Sequence, residues 1–329
     1  MAAILAPHEA ATTMDAIKLY TLAVPFFIAA IILEGLYYRV ALHQPYGWLI
    51  TMSNLAVALG RLASEALSKG LVLAVYVWAF QWRPFEIPMD RWESWVALAL
   101  AVDFAYYWLH RYSHEIRWMW ALHSVHHSAR QITFSVAYRL GWTSLLSGPW
   151  LFLIPVCWIG FDPRAVVLMY AANLLYQFWL HTETVPKLGL LEWFMNTPSH
   201  HRVHHAIEPA YLDRNFGGIL ILWDRLFGSF SEERIGAVRT YGLVRQINTL
   251  NPLRIAFAEW VAMLGDLRHA RSLWEIAGHL FGPPGWRPDG TGNTTAAIRR
   301  AAGIENDSRK YPGFRAQAAQ PAGQQISKT

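Results

Sequence analysis

The chain has 329 residues, enough for one large domain or two small ones. Hydrophobic residues make up 54% of it, charged residues only 16%, and there are 17 tryptophans; a soluble domain averages about 25% charged residues, so the balance points to a bilayer protein with aromatic anchors at the interface. The net charge of +5 does not mark a nucleic-acid binder, because the basic residues are scattered between apolar segments and suit cytoplasmic loops and anionic headgroups, while the single cysteine, Cys157, excludes an intrachain disulfide framework and a cysteine-based metal site.

The first apolar segment, Leu19 to Tyr38, is long enough to span a bilayer and is interrupted only by Glu34. Without a basic N-terminal region or a small-residue cleavage site, it reads as a retained membrane helix. Gly47 to Trp82 carries Asn54, Arg61, Glu65 and Lys69 at near-helical spacing, then the apolar stretch Leu71 to Phe80. It reads as one long or one broken helix, lying in the interface or packed within a bundle. A loop with Pro and charge, Arg83 to Glu93, closes a first unit, residues 1–94.

The second unit, residues 95–245, opens with the apolar segment Trp95 to Leu109, which contains Asp103 and runs into His110. An acid within a membrane segment is costly and marks a functional position; Asp103 lies two helical turns before His110, on the same face. The run HRYSHEIRWMWALHSVHH, His110 to His127, places five histidines within eighteen residues. Read as helix, His110 and His114 share a face, as do His123, His126 and His127 at i, i+3 and i+4, so each group aims its imidazoles at one point. After it, Leu145 to Phe161 and Ala165 to Leu180, joined by a tight turn at Asp162-Pro163, predict a membrane hairpin that returns the chain to the face it left. His181 sits where this hairpin ends. SHHRVHH, Ser199 to His205, then repeats the earlier spacing with His201, His204 and His205.

Ala210 to Phe230 mixes Gly-Gly, apolar and charged residues and predicts a compact cap. Residues 246–282 predict amphipathic helices that lie in the interface or pack on the preceding unit, with Phe257, Trp260, Leu264 and Leu267 as one stripe. From 283 to 329 Pro, Gly, Ser and charge dominate, which predicts a disordered tail. The fold class is therefore all-α: an integral membrane bundle of about four to five apolar helices with a cytoplasmic, histidine-rich di-metal cap. Arg111, Arg117, Arg130 and Arg139 around the first cluster place that face in the cytoplasm.

His8, His43, His269 and His279 are isolated and read as ordinary core or surface residues. The clustered ones differ, because neutral imidazole is the commonest transition-metal ligand and packed cations would repel. His110, His114, His123, His126, His127, His181, His201, His204 and His205 exceed the shell of one four-coordinate zinc ion, so two metals are the simpler arithmetic. His-Glu-x-x-His is absent, since His114-Glu115 is followed by Ile116, Arg117 and Trp118, and neither a Gly-x-Ser-x-Gly elbow nor a glycine-rich nucleotide loop is present. A membrane zinc hydrolase and a non-enzymatic metal carrier are the rival readings.

H-x3-H at His110 and His114, H-x2-HH at His123, His126 and His127, and H-x2-HH at His201, His204 and His205 resemble the three histidine boxes of the fatty acid hydroxylase/sterol desaturase superfamily. The flanking strings HRYSHE, LHSVHHS, NTPSHHRVHH and LDRNFGGILILWDRLFGSF resemble its bacterial sterol-desaturase-like branch and the alkylglycerol monooxygenases, over about Asp103 to Phe230. The resemblance implies a bacterial inner-membrane non-haem oxygenase with its site on the cytoplasmic face. Its box histidines, with His181 in the place of a further ligand and His200 as a neighbour, would hold two irons. Asp103, Glu115, Asn215 and Asp224 are candidates to orient imidazoles through their free N–H. The implied partners are a lipid substrate, dioxygen, and a separate electron-transfer protein or a reduced pterin. Sterol, hopanoid, carotenoid, fatty acyl, ornithine-lipid and ether-lipid substrates all remain open.

Overall fold

The computed structural model describes residues 8–234 and 239–304. They form helices α1 (His8–Val40), α2 (Trp48–Gln81), α3 (Trp92–Glu115), α4 (Arg117–His127), α5 (Ser144–Ser147), α6 (Ile154–Ile159), α7 (Pro163–Gln177), α8 (Pro198–His205), α9 (Leu222–Leu226), α10 (Pro252–His269), α11 (Leu273–Phe281) and α12 (Thr295–Ala301), with short 3-10 turns between them. Among the described residues there is no strand, only isolated antiparallel bridges at Met195–Leu220 and Ala206–Tyr241. The all-helical class holds.

Two helices among the described residues are long and apolar enough to cross a membrane, within α1 (Thr21–Val40) and as the whole of α2. Only 22% and 17% of their most apolar windows are buried, so they are not core helices of a soluble domain. Leu22, Phe26, Leu33, Leu49, Leu59 and Leu67 face outward, and the chain is built as a membrane protein. The second segment is one continuous helix, with Arg61 paired to Glu65 within it.

Of the expected four to five apolar helices, these two alone are long and apolar enough to cross a membrane among the described residues. The segment Trp95 to Leu109 lies inside α3, which forms the core, burying Leu98, Val102, Ala105, Tyr106, Tyr107 and Leu109. The hairpin forms, but short. Its first leg breaks into α5, a 3-10 turn at Pro149–Leu153 and α6, because Gly148 takes a positive φ of 77° and Pro149 and Pro155 interrupt the helical hydrogen bonds. Its second leg, α7, has 15 residues, about 22 Å at 1.5 Å per residue, against the roughly 30 Å of a hydrocarbon core. Asp162 caps α7, accepting from the Arg164 amide at 2.8 Å, with Pro163 at the first helical position.

Helix α10 packs inward. Ile255 joins Val57 of α2 and Val125 of α4, while Trp260 and Met263 meet Ala121 of α4. Its other face, with Leu253, Val261 and Leu264, is exposed. Contrary to the expected disordered tail, residues 283–304 are ordered. Trp286 is buried, edge-on to His279 at 5.1 Å, and Arg299 of α12 donates to the carbonyl oxygens of Pro209 at 3.2 Å and Leu212 at 2.5 Å. The remainder of that tail, 305–329, lies outside the described residues.

Candidate metal centre

The run from His110 to His127 is two helices, not one. Ile116 is extended, at φ −116° and ψ 118°, and its amide still closes α3 onto Tyr112. The bend is held from the C-terminal part of the chain. The Arg117 amide donates to Gly282 O at 3.0 Å, and its guanidinium pairs with Glu259 at 2.8 Å and Asp266 at 2.7 Å, both on α10. The reversal packs α4 against α3, so that the first two boxes face each other. In the third box, Pro198 starts α8 after an extended Thr197, and all eight residues of the helix are buried.

Nine histidines meet in two adjoining groups, each with its candidate ligand atoms within 4.8 Å of one another: His110, His114, His123, His127 and His204 in one, His126, His181, His201 and His205 in the other. These are the nine singled out from the sequence. Each box does not aim at one point, however. Residues spaced i, i+4 stay together, while the i+3 member crosses over: His126 of α4 joins the α8 pair, and His204 of α8 joins the α4 pair. The cause is the roughly 100° between i+3 and i+4 on a helix of 3.6 residues per turn, which leaves i+4 only about 40° from i. It lets one short helix serve both groups. At the seam, the rings of His127 and His205 stack at 4.4 Å.

The outer nitrogens set the inner ones. His110 Nδ1 meets Phe216 O at 2.8 Å, His204 Nδ1 meets Arg214 O at 2.9 Å, and His181 Nδ1 meets Gln177 O at 2.9 Å. A carbonyl only accepts, so each of these Nδ1 atoms carries the proton and each Nε2 presents a lone pair inward. His114 is held likewise by Asp213, at 3.3 Å. Inside, Nε2 faces Nε2 at 3.0 Å for His110 and His123, 3.1 Å for His181 and His126, and 2.9 Å for His201 and His181. His114 Nε2 and His204 Nε2 are buried and make no hydrogen bond. Lone pairs converging in a dry pocket repel one another, and a cation among them removes the repulsion. Burial, then the neighbouring imidazoles, push His123, His127, His201 and His205 well below the ordinary histidine value, and burial takes His181 down to about 4. All are therefore neutral near pH 7, the state a metal requires. The donor set is imidazole throughout, which suits iron, zinc or copper.

The four polar residues expected to orient imidazoles are placed differently. Asp103 Oδ1 accepts from the Ile219 amide at 2.8 Å and the Asn173 amide group at 2.7 Å, and its Oδ2 accepts from Leu220 N and the Trp223 indole. Asp224 accepts from the amides of Phe216 and Gly217, both at 2.7 Å, and from the Ser229 hydroxyl at 2.6 Å; burial pushes it up to about 6. These two acids pin the loop whose Phe216 carbonyl holds His110, and so act at one remove. Gly218 is required there, because a Cβ would lie 2.8 Å from Asn173 Oδ1 and Tyr106 Cδ1. Asn215, at φ 57°, donates to the carbonyl of His200 and not to a ring. Glu115 pairs with Arg111 at 2.9 Å. His200 stands apart from both groups, buried beside Glu192 at 4.0 Å and edge-on to Phe230. The residues that do hold the rings, apart from Asp213, do so through main-chain carbonyls. Only Asp213 could have been suspected from its residue type.

A cavity of about 830 Å³ reaches His114, His127, His204 and His205 from the side of the C-terminal segment. Arg117, Glu259, Asp266, Gln246, Arg287 and Trp286 are among its walls.

Residues 95–229 match the fatty acid hydroxylase family model. Alkylglycerol monooxygenase of Homo sapiens is 37% identical over 269 residues, covering 81% of this chain and 59% of that protein. The Danio rerio protein of the same name is 34% identical over 305 residues, with 87% and 64% covered. Ornithine lipid hydroxylase OlsE of Rhizobium tropici is 28% identical over 144 residues, with 43% and 44% covered. The chain thus spans about six tenths of the length of the first curated relatives it matches. No solved structure matches. Residues 95–229 are thus a domain of the fatty acid hydroxylase family.

Proposed function

We propose that the chain is a membrane non-haem di-iron oxygenase that hydroxylates or desaturates a lipid C–H bond. The observation that carries this reading is the pair of buried all-imidazole groups, five and four histidines, in which the Nδ1 atoms of His110, His114, His181 and His204 are pinned so that their Nε2 lone pairs point inward. His110, His114, His123, His127 and His204 would hold one iron, and His126, His181, His201 and His205 the other. When bound, the metal pair supplies dioxygen activation and the power to break an unactivated C–H bond. In hydroxylation one oxygen atom enters the carbon and the other leaves as water; in desaturation two hydrogens leave the lipid and both oxygen atoms become water. Each outcome takes two electrons and two protons from outside.

The chain's own groups bind, orient and exclude water. The Nδ1 contacts fix ring planes and keep each Nε2 available. Leu180, Phe216 and Val203, all buried, close the surroundings to solvent. The lipid arrives from the side of the apolar helices. Similarity to alkylglycerol monooxygenase and ornithine lipid hydroxylase supports a polar-headed lipid as substrate class. The cavity beside His114 and His204, with Arg117, Glu259, Asp266 and Arg287 among its walls, suits the reductant, a separate redox protein or a reduced pterin. The basic residues around the first box support a cytoplasmic orientation of this side.

Lipid profiling of a strain lacking the protein against its parent tests the reaction. A lipid in the parent differing by one oxygen, or by two hydrogens, is expected, and identical profiles under aerobic, iron-replete growth refute it. Elemental analysis tests the metal: about one zinc and no iron per chain from iron-replete cells, with no activity restored by iron, overturns the di-iron reading.

A further inference from the structure

The two histidine groups are held by different parts of the chain. The five-histidine group is oriented from within residues 95–229, by Phe216 O, Arg214 O and Asp213. In the four-histidine group, His126 and His181 stand on backbone fastened to the two membrane helices. Glu34 of α1, 4% exposed, accepts from the Thr182 hydroxyl at 2.7 Å, the Phe134 amide at 2.9 Å and the Tyr46 hydroxyl at 3.0 Å. Thr182 directly follows His181. Asn54 of α2, fully buried, accepts from the Arg139 guanidinium at 3.0 Å and donates to Ser135 at 2.9 Å. Arg139 Nε donates in turn to Val125 O at 3.0 Å and Ser128 Oγ at 2.9 Å, the residues flanking His126 and His127.

A carboxylate or an amide in an apolar helix is costly, and each of these finds partners outside its own helix: Thr182 and Phe134, with Tyr46, for Glu34, and Arg139 and Ser135 for Asn54. The apolar packing agrees in direction, since Phe27 and Ile31 of α1 lie against Phe178, three residues before His181. We propose that Glu34 and Asn54 are positioning residues that fix the four-histidine metal position, so that its occupancy depends on α1 and α2, which lie outside the family domain. The proposal rests on the di-iron reading. Losing the contact lets the His181 or His126 ring move relative to its partners, whose Nε2 atoms must stay convergent for a metal to be held.

The test uses the full chain in lipid nanodiscs, as Glu34→Leu, Glu34→Gln, Thr182→Val and Asn54→Leu, with Asp213→Ala as the opposite arm. Anaerobic titration of metal-free protein with ferrous iron should show two classes of site in the parent. In Glu34→Leu, Thr182→Val and Asn54→Leu one class should weaken by about tenfold to a hundredfold while the other keeps its affinity, and Glu34→Gln should recover most of the loss. Asp213→Ala should weaken the complementary class. Hydrogen exchange of the metal-free chain should quicken around 178–186 in Glu34→Leu and Thr182→Val but not in Asp213→Ala. Parent affinity at both sites in Glu34→Leu and Thr182→Val overturns the proposal, as does equal weakening of both sites. Thr182→Val removes one hydroxyl at constant shape, so it decides the matter if Glu34→Leu fails to insert. A parent that binds no iron pair refutes the di-iron reading, and the exchange at 178–186 then decides the positioning claim by itself.

Discussion

Asp224→Ala tests whether the site is built on the Phe216–Leu220 loop. Asp224 is fully buried, and its loss strands three donors, the amides of Phe216 and Gly217 and the Ser229 hydroxyl. A buried donor without a partner costs about 1–3 kcal/mol; with water entering the space of the lost carboxylate, the low end of the sum, about 3 kcal/mol, is expected. At about 1.5 °C per kcal/mol for a chain of 329 residues, the metal-free protein should melt about 4 °C lower. The same loop carries the carbonyl that holds His110 at 2.8 Å, so iron affinity at the five-histidine group should fall by about tenfold or more. Ser229→Ala removes one of the three donors and should cost about 1 kcal/mol, with iron affinity unchanged. The assay pairs a melt of detergent-solubilised protein with an anaerobic iron titration. An unchanged melting temperature in Asp224→Ala, or a lowered one with full iron affinity, would refute the link from Asp224 through the loop to His110.

His126→Ala and His204→Ala, each the crossing member of its box, should abolish lipid oxidation while the chain stays in the membrane fraction; turnover retained in either removes that residue from the site. Gly218→Ala places a Cβ 2.8 Å from Asn173 Oδ1 and Tyr106, and should lower both melting temperature and iron content, whereas a parent-like variant would show that the loop can yield there. The buried imidazoles also set a pH dependence. His181 lies near 4 when folded against 6.5 when free, so between these values the unfolded metal-free chain binds more protons than the folded one, and stability rises with pH. The melting temperature of metal-free protein should be flat above about pH 7 and fall steeply from about 6.5 toward 4, and a flat profile across that window contradicts the burial of the rings.

The histidines were legible because a metal demands one residue type, and helical spacing leaves that demand in the sequence. Their division into five and four was not, because it depends on how α4 and α8 cross, and the spacing i, i+3, i+4 is compatible with one centre or two. The break at Ile116 was hidden for a related reason: the run from His110 to His127 contains no Pro or Gly, and the bend is imposed by Gly282, Glu259 and Asp266, more than 130 residues away in the chain. The carbonyls of Phe216, Arg214 and Gln177 cannot be read at all, since every residue has one. The membrane helices were legible where apolarity is continuous, in α1 and α2. Elsewhere apolarity has another cause: Trp95 to Leu109 is apolar because it lies in the core, and Leu145 to Phe161 is apolar but broken by Gly148 and two prolines.

The ordered segment after Gly282 bears on how the site is closed. Its composition resembles a linker, yet Gly282 O takes the amide that fixes the Ile116 bend, and Trp286 lies so close to Gly278 of α11 that any side chain there would displace it. Arg299 holds the carbonyls of Pro209 and Leu212, immediately before Asp213, which in turn holds His114. Thr295 of α12, which lines the cavity, also hydrogen-bonds Asp213, the residue that holds His114 in the five-histidine group. A molecule that enters the cavity and displaces α12 would loosen Asp213 and, through it, His114. The two groups consequently differ in what governs them: the four-histidine group answers to the membrane helices through Glu34 and Asn54, and the five-histidine group answers to the polar side through Asp213.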